Sequence, residues 1–233
     1  MGRRHKPHLR CAACRLHASL CICSLLPRIE TRTRVVFVVH QLEARKPTNT
    51  GLVAARCLAN AAVAYRGRSP SSDGGAPPDW AALVSDATQP LILYPHEGAV
   101  PIETFARGAR PVTLVVPDGT WRQAARTRAR LVVRLGRDAE APCVSVRAAG
   151  PAVPRRLRAG THPERLATLE ALALALGVLE GAAVEDALLH VFRVMTDRTL
   201  WTNGRLAAGA VTGGIPAGAR SHDPLGRGTD GGS

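Results

Sequence analysis

The chain has no unbroken apolar run long enough to span a bilayer. Its basic N-terminus leads into cysteines instead of the apolar core of a signal peptide. A cytoplasmic location is therefore expected, with no membrane partner. No Gly-x-Gly-x-x-Gly follows the first apolar run, and no Gly-Lys-Ser/Thr loop occurs, which argues against dinucleotide-binding and nucleotide-hydrolysing folds. Lysine is nearly missing: of 31 basic residues, all but Lys6 and Lys46 are arginine. A GC-rich genome accounts for part of that bias and for the abundant alanine. It does not account for the shortage of acids, 18 against those 31 cations. The formal charge is +13 and the pI about 11.0, which points to a polyanionic partner, most simply nucleic acid. The plainer reading of such charge is solubility.

What is present fits one domain with appendages: 233 residues, 45% of them hydrophobic. The central stretch is Arg110–Arg130, RPVTLVVPDGTWRQAARTRAR. The β-branched run Val112–Val116 predicts a buried strand, and an Ala/Arg/Gln-rich helix is expected from Trp121 to about Leu131. Between them lies Pro117-Asp118-Gly119-Thr120-Trp121. The carboxyl end of a strand in an open α/β sheet is where ligands bind. Alternatively, Asp118 and Thr120 only cap the helix and Trp121 only packs.

Further strands are expected at Arg34–His40, Pro90–Tyr94 and Cys143–Val146, and helices at Leu52–Val63, Trp80–Ser85, from Thr168 or His162 through Leu179, and about Val184–Trp201. Asn49 or Thr50 would cap the first of these helices. Arg68–Pro78 reads as a loop. Alternating strands and helices imply a mainly parallel sheet covered on both faces. Residues 1–10 form a basic arm, residues 11–30 a separate module, residues 31–205 the α/β domain, and residues 206–233 a Gly/Ala-rich tail expected to be disordered.

Four of the six cysteines, Cys11, Cys14, Cys21 and Cys23, fall within thirteen residues. In a cytosolic protein that density favours metal over disulfides, and four thiolates close a tetrahedral site that suits structural zinc. Reduced or redox-active thiols are the other reading. His8 and His17 are possible substitute ligands. Cys57 and Cys143 sit in apolar contexts and read as core. Arg122, Arg126 and Arg130 recur every four residues, and Arg155, Arg156 and Arg158 form a second cluster. Each group is a candidate for phosphate contacts or a solvated face.

Asp118-Gly119-Thr120-Trp121 resembles the Asp-x-Thr-Trp signature of DTW-domain proteins. Four other stretches match that family in order: the N-terminal cysteines, His40-x2-Glu43 to Asn49-Thr50-Gly51, Leu93-Tyr94-Pro95-x-Glu97-x-Ala99, and Leu166-x-Thr168-Leu169-Glu170-Ala171. Together they cover about residues 11–205. One position departs: Ala167 stands where the family's serine is expected, and it carries no hydroxyl.

The resemblance implies a fold like the knotted (SPOUT-like) RNA methyltransferases. It implies transfer of a 3-amino-3-carboxypropyl group from S-adenosylmethionine to N3 of a uridine in tRNA, with methylthioadenosine released. It places the cofactor against Tyr94, Pro95, Glu97, Asp118, Gly119, Thr120, Trp121, Leu166, Thr168 and Glu170. Asp118 would take the N3 proton or orient the cofactor's amino group. Trp121 lines the pocket or packs in the core. Glu97 and Glu170 are functional, or else a surface carboxylate and a helix-cap partner. The zinc module extends the RNA surface or staples the N-terminus. A knotted methyltransferase and a non-catalytic zinc-containing RNA-binding protein are the rival readings, and rRNA is a possible target.

Overall fold

The computed structural model describes residues 9–67, 84–85, 87–106, 108–135, 141–147 and 166–222. Among the described residues, six strands form one sheet: β1 Arg34–His40, β2 Ala61–Arg66, β3 Gln89–Leu93, β4 Val100–Pro101, β5 Val112–Asp118 and β6 Cys143–Ser145. Their order is β2-β1-β5-β3-β6-β4, and every pairing is parallel. The helices are α1 Gln41–Ala44, α2 Thr50–Cys57, α3 Trp121–Leu135, α4 Thr168–Glu180 and α5 Ala182–Thr202.

The two central strands are buried on both faces, which is why β1 and β5 read as continuous β-branched runs instead of alternating ones. Val35, Phe37 and Val39 point to one side, with Leu91, Leu114 and Val116, and meet α2, α4 and α5 there. Val36, Val38, Ile92 and Val115 point to the other and meet Leu131 and Leu135 of α3. Leu169, Leu172 and Leu176 of α4 are completely buried, each contributing about 1.5–3 kcal/mol of hydrophobic stabilisation. Gly181, at φ +107°, reverses the chain between α4 and α5.

The expected helix over Leu52–Val63 is corrected. Helix α2 ends at Cys57 because Leu58 turns extended and bridges Ile29. Ala61–Arg66 then pairs along the whole of β1 as the edge strand β2. Alanine's helix preference yields there to a ladder with a buried partner. Strand β5 runs through Pro117 to Asp118, two residues beyond the expected run, and α3 continues to Leu135. Strand β3 begins at Gln89 and ends at Leu93, so Tyr94 follows it, and β6 ends at Ser145. The helix expected over Trp80–Ser85 falls mostly outside the described residues, as does the loop 68–78.

The tail expected to be disordered from 206 is structured as far as it is described. Short 3-10 turns form at Ala208–Ala210 and Ala217–His222. Val211 and Ala219 bury themselves against Trp201 and Leu20. Few large apolar residues mark this segment in the sequence, but Leu206, Val211 and Ile215 all join one small cluster. Among the described residues, no helix is long and apolar enough to cross a membrane.

Candidate active site and metal centre

Asp118 is the last residue of β5 and is 4% exposed. The parallel register sets it level with Val39 of β1, at the carboxyl edge of the sheet. Asn49 Nδ2 donates to its Oδ2 at 2.6 Å, and Thr168 Oγ1 donates to its Oδ1 at 2.6 Å. Asn49 is the N-cap of α2, its own Oδ1 accepting from Leu52 N at 2.8 Å. Thr168 opens α4. Two helix starts therefore converge on one carboxylate, where their free N–H groups and dipoles favour negative charge. The approach is close: a Cβ on Gly51 would lie 2.8 Å from the Asp118 carboxyl carbon, so only glycine fits there. Thr50 adds a third tie, its Oγ1 accepting from Leu169 N at 3.3 Å.

Thr120 and Gln123 form a reciprocal capping box at the start of α3. Thr120 N donates to Gln123 Oε1 at 2.7 Å, and Gln123 N donates to Thr120 Oγ1 at 3.3 Å. The capping reading of Thr120 is met by this geometry. Asp118 does not cap α3 in those bonds. It points across to α2 and α4.

Trp121 and Tyr94 are both half-buried and touch, ring centroids 6.0 Å apart and planes at 59°. The Arg128 guanidinium lies over the Tyr94 ring at 5.8 Å. Tyr94 follows β3, the strand beside β5, so this pair stands next to the Asp118 corner. Pro95 and Glu97 are exposed, in the segment that rises from the same edge. Leu166 and Glu170 are half-buried. The Glu170 carboxylate accepts from Ala167 N at 3.2 Å, so it serves as a helix-cap partner. Ala167 itself occupies the N-cap and offers no side-chain bond. Segment 118–121 thus meets Tyr94 through Trp121 and Thr168 through Asp118.

Arg122, Arg126 and Arg130 are all exposed on α3. Arg155, Arg156 and Arg158 lie outside the described residues. His40, closing β1, accepts from Leu42 N at Nδ1. Burial, and then the Arg66 charge, hold its pKa below the ordinary histidine value, so the ring is neutral near pH 7. Three contributors escaped the sequence reading: Asn49 as a partner of Asp118, Arg128, and Arg66. The first was legible only as a helix cap, and the others carry no local signal.

The sulfur atoms of Cys11, Cys14, Cys21 and Cys23 all lie within 4.8 Å of one another. Separations of 3.7 Å (Cys11–Cys23), 3.8 Å (Cys14–Cys21) and 3.5 Å (Cys11–Cys21) are close to the edge of a tetrahedron with zinc–sulfur bonds of about 2.3 Å. The donor set fits zinc. Arg15, at φ +64°, makes the tight turn after Cys14, and Arg15 N donates to Cys11 O. The Cys14 backbone N–H lowers the Cys11 thiol to about 6, whereas burial pushes Cys23 up to about 12 and Cys14 also upward. Metal would have to displace protons from the latter two. His17 accepts instead from Ser19 N, and His8 lies outside the described residues. Beneath the cluster, Arg198 of α5 donates to Leu20 O at 3.3 Å and Cys21 O at 2.9 Å. Cys57 and Cys143 are buried, and burial raises both thiols, Cys57 to about 12.

A family model described as the DTW domain matches residues 8–200. A Drosophila melanogaster protein named tRNA-uridine aminocarboxypropyltransferase 2 is 32% identical over 127 residues. That match covers 53% of this chain and 48% of the relative, so the chain spans about half the length of the curated protein it resembles. No solved structure matches the chain.

Proposed function

The chain belongs to the DTW domain family, and from that premise we propose that it transfers a 3-amino-3-carboxypropyl group from S-adenosylmethionine to N3 of a uridine in tRNA. The observation that carries the reading is that Asp118, at the carboxyl edge of a parallel sheet, is bonded to Thr168 while the adjoining Trp121 packs on Tyr94. That edge offers a carboxylate and an aromatic pair, a chemistry suited to a cationic sulfonium donor bearing an adenine ring. A knotted chain path, as in SPOUT-like enzymes, is part of the same proposal.

The donor supplies an electrophilic γ-carbon and leaves as a neutral thioether, so no general acid is required. The work left to the chain is placement and handling of the N3 proton. Tyr94 and Trp121 would wall the adenine. Asp118 holds α2 and α4 together and would orient the donor's ammonium end. Its two short bonds to Asn49 and Thr168 favour this holding role over proton abstraction, although a carboxylate with about four acceptor sites is not exhausted by two bonds. Arg122, Arg126 and Arg130 would meet phosphates, with Arg155, Arg156 and Arg158 as a second set. The four cysteines would hold structural zinc.

The decisive assay incubates the protein with S-adenosylmethionine and unmodified tRNA, then reads nucleoside masses. A uridine bearing the aminocarboxypropyl increment, with methylthioadenosine released, is the expected result. A methyl increment with adenosylhomocysteine would overturn the reaction class. No product with tight tRNA binding would move the test to rRNA and then to a non-catalytic role.

A further inference from the structure

Arg66 ends the edge strand β2 and lies opposite His40 in the parallel register. It is half-buried, and its Nη1 donates to Thr127 Oγ1 at 2.6 Å. Thr127 is 1% exposed and in turn donates to Gln123 O at 2.8 Å. The guanidinium is therefore pinned against α3, unlike a surface arginine free to wave in solvent. Arg126 and Arg130 flank it closely enough for both their charges to act on it, after burial, in lowering its pKa. Among the described residues, none of these three arginines forms an ion pair. His40, beside Arg66 in the register, is held below the ordinary histidine value by burial and then by the Arg66 charge. Like charges gathered without a counterion repel one another, and a pinned, half-buried one cannot swing away. Among the described residues these charges meet no carboxylate, which leaves room for an anion beside them.

We infer that Arg66, Arg126 and Arg130 clamp one phosphodiester of the RNA strand that carries the target uridine. This rests on the tRNA reading above. Position supports it. Arg66 stands at the same carboxyl edge as Asp118, two strands away across β1, or about 10 Å at the usual spacing of parallel neighbours. Chemistry supports it too. With one Nη committed to Thr127, the other edge of the guanidinium keeps the planar fork that meets two phosphate oxygens at once. Because the clamp is anchored to the first turns of α3, it fixes the strand relative to the Thr120–Trp121 corner. It would set how far along the backbone the reactive nucleotide lies.

The test measures tRNA binding by the full chain across a salt series, with melting temperatures taken alongside. Arg66→Ala should weaken binding and reduce the slope of log affinity against log salt by part of the about 0.7–0.9 that one phosphate contributes, because Arg126 and Arg130 stay on it. Thr127→Val leaves every charge in place and removes only the anchor. It should keep the slope and still weaken binding, which a merely structural role for Arg66 would not produce. Wild-type binding with an Arg66→Ala slope and affinity that match it overturns the clamp while leaving the tRNA reading intact. No tRNA binding by the wild type overturns both. A third arm uses inorganic phosphate alone at constant ionic strength. If phosphate raises the melting temperature of the wild type but not of Arg66→Ala, and the tRNA slope is the same in both, the site serves a free anion and the strand clamp is overturned.

Discussion

The Thr168 hydroxyl donates to Oδ1 of Asp118 at 2.6 Å, joining residues fifty positions apart in the chain. This bond closes the end of β5 against the start of α4. Thr168→Val keeps the branched shape and removes the donor. It should cost about 1–3 kcal/mol for the buried oxygen left short of a partner, or about 2–4 °C of melting temperature per kcal/mol in a chain of this size. Thermal unfolding checks it, and an unchanged melting temperature would mean the bond carries no load.

The companion substitution at Asp118 separates its two roles. Asp118→Asn cannot accept from both Asn49 and Thr168, so the holding role predicts a lower melting temperature together with lost transfer. Proton abstraction alone predicts a loss of about 10²–10⁴-fold in rate with the melting temperature unmoved. Single-turnover assays beside thermal melts decide between them.

Ala167 sits at the N-cap of α4, and its backbone N–H already reaches Glu170. Ala167→Ser would complete a capping box and should stabilise the protein by about 0.5–2 kcal/mol. A denaturant titration read by circular dichroism should show the midpoint rise. A fall would mean that the serine hydroxyl cannot reach the first turn.

The four-cysteine centre is checked by elemental analysis. About one zinc per chain is expected, released by a chelator or by Cys11→Ser with a drop in melting temperature. Cys57→Ala should leave metal content untouched, because that thiol is buried among apolar side chains and is not one of the four sulfurs that lie together. Full metal retention in Cys11→Ser would rule the site out.

Arg122→Ala with Arg126→Ala should lower the salt dependence of tRNA binding by up to about 0.9 for each phosphate no longer neutralised, with the fold intact. Both side chains are exposed, so stability should change little. Binding indistinguishable from wild type would place the RNA on another face.

Much of this fold can be read in advance wherever local pattern and tertiary need agree. Strands β1 and β5 are β-branched because both of their faces are covered, and the four cysteines announce themselves by density. Strand β2 was hidden because Ala61-Ala62-Val63-Ala64 reads as helix until β1 is available to pair with it. The packed segment after Leu206 was hidden because two small residues, Val211 and Ala219, do its burying. Site residues followed the same division. Asp118 and Thr120 stood out in one short motif, but the Asn49–Asp118 bond spans 69 positions and Arg66 meets Thr127 across 61. No window along the chain contains such partnerships.

Removing residues 206–233 is informative for the same reason. The truncation should expose Trp201 and Leu20 and lower the melting temperature, whereas a tail without structure would be lost silently. Differential scanning calorimetry on the two lengths settles it.

The bond from Arg198 to the Cys21 carbonyl joins positions 177 apart, and it imposes an order of events. During synthesis the cysteine module leaves the ribosome well before α5, so the carbonyls of Leu20 and Cys21 receive their donor only after the long intervening stretch has followed. Contacts so distant in sequence form late, because the entropy of closing the intervening loop must be met first. The cysteine module is made long before its own last contacts can form.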